Sequence, residues 1–275
     1  MPKKSGKKTS LFLGGGVIFL LLLVWIVSSF FSPKDAEGFI ADETQLETAV
    51  SQALLESNEG GYLSGECMGE GHEILGYEKK GEDLFVYALT MYGEYGFEND
   101  HFVKVSGFGV IPAVVRLDLS YRFQEIIYPQ DGADYTDSLK SMFPSRYYTK
   151  VFWVNDAVEE DLKSQERKYA QIYLDEIGRK ASIGDYGDYE HILLTDVGVP
   201  VEVSNQLLER QELGAYPFWI GVSEQLEDGQ RFVYELNYDT EKKQIFYTKY
   251  RYEDHLIIEQ FVFDGLTGAL LEEIS

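Results

Sequence analysis

The densest group of residues able to do chemistry is "GECMGEGHEI" (65–74), which holds Glu66, Cys67, Glu70, His72 and Glu73. A Cys-x4-His spacing could supply two metal ligands, or a thiol with its base. Nothing nearby completes a third ligand or an orienting group. The expectation is therefore a turn and packed side chains at the entrance to a strand. A second group is "IIYPQDGADYTDSLKSMFP" (126–144), with Asp131, Asp134 and Asp137 three residues apart. A calcium loop of the EF-hand kind needs alternate oxygens and a glycine at its sixth position. Here Gly132 directly follows Asp131, so the pattern fails. The better reading is an Asp-Gly turn and then a helix capped by Asp134, with Asp137 in its first turn. Tyr135, Leu139 and Met142 share one face of that helix, and Pro144 ends it. A third group is "AYPFWIGV" (215–222), where Tyr216, Phe218 and Trp219 could line a peptide or sugar contact or belong to a core. Glu66, His72, Asp131, Tyr216 and Trp219 are the candidate ligand or partner contacts. No catalytic residue, metal ligand set or cofactor is assigned.

Other motifs are missing. There is no HExxH, no phosphate-binding glycine loop, no GxGxxG after a strand and no GxSxG; Ser-x-x-Lys occurs only at Ser5 to Lys8. Cys67 is the lone cysteine, which excludes an internal disulfide and a cysteine-based zinc cluster. The charge is lopsided: the first ten residues carry Lys3, Lys4, Lys7 and Lys8 and no acid, while 20 basic residues face 47 acidic ones over the remainder. So acidic a surface repels nucleic acid and anionic lipid heads. Solubility is the plain explanation, and a cationic partner the sharper one.

Residues 11–31 hold no charge and, at 21 residues, can cross a hydrocarbon core of about 30 Å as a helix. The preceding lysines place residues 1–10 in the cytoplasm and the chain after the span outside. A cleaved signal peptide, with Val27-Ser28-Ser29 as a substitute cleavage site, is the competing reading; the length of the apolar run favours an uncut anchor. Residues 32–41 read as a linker. From 42 to 57 Leu46, Ala49, Val50, Ala53 and Leu54 form a helical face, stopped by "NEGG". Strand-like runs follow in "DLFVYALTMY", "HFVKVSGFG", "IPAVVRLDL" and "YRFQEIIY". Residues 155–178 are the longest helical candidate, with Asp156 and Glu159 as a capping pair. Leu162, Tyr169, Tyr173 and Ile177 would share its face, and Gly178 would end it. "RFVYELNY" (231–238) alternates with period two, and "QIFYTKYRY" and "HLIIEQFVF" continue an antiparallel meander. The layout predicts an α+β fold: after the anchor, two helix-plus-antiparallel-sheet units, 42–150 and 151–275, whose strands "FVYAL" and "FVYEL" correspond.

Taken together, "GECMGEGHEIL", "VYALTMYGEYGF", "SGFGVIPAVV" and "YPQDGADYTDSLKSMFP" resemble an extracytoplasmic segment of BlaR/MecR-type membrane metallopeptidases of Gram-positive gut bacteria, over about residues 62–150. The parent's several spans and its HExxH are missing, so the resemblance implies neither proteolysis nor β-lactam acylation. It implies a segment appended to a signalling protein. The ending "FVYELNY…FVFDGLTGALLEE" resembles PepSY-type and cystatin-like modules, which are small and non-enzymatic. The expectation is a single-pass membrane protein whose ectodomain binds or regulates an envelope protein or wall component without catalysis. An envelope hydrolase built from dispersed carboxylates and a carbohydrate-binding module are the alternatives. Millimolar calcium should leave the melting temperature unchanged, because filling a real site at 100 times its Kd would add about 2.7 kcal/mol. A rise of several degrees would show that 131–137 holds an ion.

Overall fold

A computed structural model describes residues 40–63 and 65–274. The membrane span expected at 11–31 lies outside the described residues, and no described helix is long and apolar enough to cross a membrane. The fold is α+β, with five α-helices and a large, mainly antiparallel sheet.

Helix α1 (Glu43–Asn58) opens on Asp42, whose carboxylate accepts from the Gln45 amide at 3.1 Å. Its face Leu46, Ala49, Val50, Ala53 and Leu54 is buried, as its spacing predicts. Three long strands follow: β1 (Cys67–Lys80), β2 (Asp83–Glu98) and β3 (His101–Asp118), and then β4 (Phe123–Ile127). The runs "HFVKVSGFG" and "IPAVVRLDL" are thus one strand. α1 covers one face, packing on Tyr77, Leu84, Val86, Val115 and Leu117. Helices α2 (Tyr135–Met142) and α3 (Tyr148–Phe152) cover the other, around Leu75, Tyr87, Leu89 and Met91. In α2 Leu139 is buried and Tyr135 and Met142 pack beside it, as expected. The Asp134 carboxylate, however, makes no capping bond. Instead Ser138 Oγ accepts from the Gln130 amide at 3.0 Å.

Helix α4 (Asp156–Glu176) is capped by Asn155, which accepts from Val158 N at 3.1 Å, rather than by Asp156. It lies on β1, β2 and β3. Its buried residues are Leu162, Glu166, Ala170 and Leu174; Ile177 falls one residue past the helix, at its C-cap, and is exposed. Two glycines of β1 make that seat possible. A Cβ on Gly69 would come within 2.7 Å of the Glu166 carbonyl oxygen, and one on Gly71 would collide with the Leu162 carbonyl. β1 borders the sheet, and α4 shields it: Gln165 Oε1 accepts from the outward His72 amide at 3.1 Å. The stretch 65–74 is therefore mostly strand, not the turn the glycines suggest. Its small residues exist for a helix to approach.

Short β5 (Ile183–Asp185) pairs parallel with β3, and α5 (Val201–Leu208) precedes a meander of β6 (Gly221–Glu227), β7 (Gln230–Asp239), β8 (Gln244–Arg251), β9 (Ile257–Asp264) and β10 (Leu270–Ile274). The order is β10-β9-β8-β7-β6-β2-β3-β4, with β1 also on β2. β1 uses one edge of β2 up to Tyr95, and β6 takes over that edge at Glu98, which pairs with Ser223. Tyr234, Leu236, Tyr238, Ile245, Tyr247, Phe261 and Phe263 face α5 in one core, the period-two face read from 231–238. Gly71→Ala should lower unfolding stability by about 2–3 kcal/mol, as overpacking does. Equilibrium denaturation checks this; an unchanged midpoint would mean that α4 sits less tightly than described.

Candidate functional site

His72 and Cys67 lie on opposite faces of β1, as an odd separation along a strand requires. Cys67 packs beside Tyr95, Phe97 and Ala170 under α4, whereas the His72 ring reaches α1. A thiol–imidazole pair is ruled out by this geometry. Burial, and after it the Glu94, Glu176 and Glu66 carboxylates, push the Cys67 thiol up to about 12. It stays protonated and inert.

His72 sits between two carboxylates. Nδ1 meets Glu70 Oε2 at 2.8 Å and Nε2 meets Glu47 Oε2 at 2.7 Å. Burial alone would lower its pKa, but Glu70 and Glu47 outweigh that and raise it to about 10. Glu70 is held below its ordinary value against its burial by His72, Ser51 and Tyr169, whose hydroxyl donates at 2.9 Å. The group is a closed ionic clasp joining α1, β1 and α4. With no lone pair on the imidazolium, it is neither a base nor a metal ligand.

Glu66 belongs to a second clasp, between β1 and the meander. Its carboxylate takes a bidentate pair from Arg231, at 2.8 Å for Nη2, and a bond from the Tyr173 hydroxyl at 2.9 Å. Arg231 also reaches Glu224 Oε2 at 2.9 Å, and Glu224 receives Arg179 at 2.5 and 3.0 Å. Both guanidinium groups lie over the Phe97 ring. Nearby His191 Nε2 bonds Glu98 at 3.0 Å and stacks on Tyr186 at 3.8 Å between centroids. In a third clasp, the fully buried Glu166 takes Lys104 at 2.9 Å and Tyr95 at 2.8 Å; its pKa is raised by burial despite Lys104.

The candidate contacts read from sequence do not converge. Glu66 and His72 are in different clasps, and Asp131 is exposed at the head of the short turn before α2. Among the described residues no three His, Cys, Asp or Glu side chains could hold a metal ion. Tyr216 and Trp219 are buried, at 7% and 5% exposure, while Phe218 between them faces water at 52%. Tyr216 packs on Tyr234 and Tyr247 and donates to Glu259.

The sheet face of β7, β8 and β9 turned away from α5 forms an open groove of about 560 Å3. Strand register sets its rows: Glu235 beside Thr248, then Gln260; Asn237 beside Phe246; and Tyr250 one row further, beside the buried Val233. Gln260 Nε2 donates to Thr248 Oγ1 at 2.9 Å. Glu235 is half-buried, its pKa raised by burial alone, and it makes no hydrogen bond or ion pair among the described residues. Among the described residues no lysine or arginine lines the groove; its one imidazole, His255, lies beside Tyr250 at 5.7 Å between centroids. A smaller hollow along α4, lined by Lys163, Arg167 and Lys168, differs in kind: Asp185 already neutralises Lys163 and Arg167, at 3.7 and 3.3 Å. The period-two alternation of 231–238 puts Glu235 and Asn237 opposite the buried Tyr234, Leu236 and Tyr238, the one signal for this face in the sequence.

Comparison with known protein families, with curated proteins and with solved structures finds no match.

The His72 clasp has a defined pH signature. The folded imidazolium titrates near 10 against 6.5 unfolded, so its stabilisation is complete below about 6.5 and is lost as pH rises toward 10. Glu70→Gln should cost about 3 kcal/mol near neutral pH by breaking a buried pair. The gap from wild type should narrow steadily between pH 7 and 10 in chemical denaturation. A gap independent of pH would mean that His72 is neutral.

Proposed function

We propose that this chain is a membrane-anchored, non-enzymatic binding or regulatory protein of the cell envelope. It would cross the membrane once through residues 11–31 and carry its two α+β units outside a Gram-positive cell. The observation that carries the binding reading is a division of labour among polar groups. Every histidine or buried carboxylate of the three clasps is engaged with another protein group. On the open face of β7–β9, the Glu235 carboxylate has no such partner among the described residues. Catalysis by acid and base needs a group free to exchange its proton with substrate, and the clasps offer none. A groove of this size lined by aromatic and amide side chains is suited to holding a ligand. The lysine asymmetry around the apolar run supports the topology. The likeness over 62–150 to the extracytoplasmic segment of BlaR/MecR-type proteins agrees with a sensing or scaffolding role.

Two measurements test this. Protease added to intact protoplasts should degrade the 40–274 region while leaving residues 1–10 protected; protection of the C-terminal region overturns the topology. Full-length chain in neutral detergent, incubated with purified wall fragments and envelope extract, should retain a partner without turnover, and Phe246→Ala should weaken retention about tenfold, as loss of a central aromatic contact does. Release of soluble sugars or peptides from the wall would establish the hydrolase instead.

A further inference from the structure

We propose that the groove over β7–β9 binds an extended basic polypeptide segment, with the Glu235 carboxylate as counter-ion to a lysine or arginine side chain. This rests on the binding role proposed above and names its partner class.

The case begins with how the chain treats its other sequestered carboxylates. Glu66 and Glu224 each hold arginine, Glu70 holds an imidazolium, Glu166 holds a lysine, and Glu94, the one without a cation, takes hydrogen bonds from the Tyr92 hydroxyl and the Gly65 amide. Glu235, half-withdrawn from water in the open face, has neither a cation nor a hydrogen bond among the described residues. A charge withdrawn from water is stable when paired and hydrogen-bonded, so its complement comes from outside. The neighbours suit a cation with an aliphatic stem. Phe246 lies one row from Glu235 along the strands, and Tyr250 one row in the other direction. Aromatic faces attract ammonium and guanidinium groups, and their apolar surface covers the methylenes. Asn237 and Gln260 bring amides that can donate to and accept from a peptide backbone. Shape decides between a small amine and a chain. The hollow is an open groove spanning three strands, so it cannot enclose most of a small molecule's surface as ligand pockets do. A segment laid along it keeps one side in water. The net charge of −23 speeds the encounter of such a segment.

That same net charge attracts any cation weakly, so the test must isolate Glu235. Full-length chain in neutral detergent is titrated into fluorescein-labelled decapeptides of alternating lysine and valine, or alternating serine and valine, and anisotropy is read. The lysine peptide should bind at least about tenfold more tightly than the serine peptide, and Glu235→Gln should remove most of that difference. Glu56→Gln, an exposed site on α1 that removes the same charge, should leave it in place. Unchanged thermal melting of Glu235→Gln confirms an intact fold. Equal loss in Glu56→Gln and Glu235→Gln would reduce the effect to net charge and overturn the proposal. Equal binding of both peptides, weakened by Phe246→Ala but not by Glu235→Gln, would overturn the cationic partner and leave the groove as a binding face. Binding of neither peptide overturns the proposal, and wall cleavage in the parallel assay would overturn the binding role with it.

Discussion

Withdrawing a carboxylate from water demands a compensating partner, and this chain buries several while carrying about half as many basic as acidic residues. That constraint orders much of the structure. Arg231 and Arg179 are placed where the meander meets β2, because Glu66 and Glu224 are sequestered there. Lys104 is drawn to Glu166 in the middle of α4, and His72 to the gap between α1 and α4. Glu94 manages without a cation, taking the Tyr92 hydroxyl and the Gly65 amide. Removing one member of such a set leaves the other buried and unpaired, so the clasps fix relative positions even where their net contribution to stability is small.

The clasps also explain how the halves hold together across a narrow seam. β6 meets β2 through one ladder pair, supplemented by Asn99, whose amide donates to Val222 O at 3.0 Å and whose side chain accepts from Val222 N at 2.9 Å. A ladder so short resists little twisting. The Glu66–Arg231–Glu224–Arg179 chain crosses the same seam with directional bonds, and Phe97 packs beneath the two guanidinium groups.

Local pattern made the elements legible, and long-range chemistry made the site illegible. The α1 face, the α2 face and the alternation of 231–238 follow from periodicity, which a single segment expresses by itself. The glycines of 65–74 misled because glycine serves turns and close approach alike. Only the presence of α4, some ninety residues later in the chain, distinguishes the two. Asp156 and Asn155 are both good caps, and one residue of register decided between them. Glu66 and Arg231 are 165 residues apart, and no spacing rule connects them. Tyr216 and Trp219 looked like a contact surface because aromatic clusters are written identically whether they fill a core or face a ligand.

The asymmetry between the two faces of the meander follows from the same economy of helices. The first sheet is clothed on one side by α1 and on the other by α2, α3 and α4. The meander has α5 with its flanking turns, enough for one face. Antiparallel sheets tolerate a wet face when its outward residues are polar, and Asn237, Gln260 and Thr248 meet that requirement. Phe246, Tyr250 and Glu235 do not need to be there for solubility: lysine or serine would serve a wet face better, and a buried-leaning carboxylate without a partner lowers stability rather than raising it. Where local choices run against folding in a chain whose other buried carboxylates are paired or hydrogen-bonded, the basic segment proposed above would supply the missing compensation.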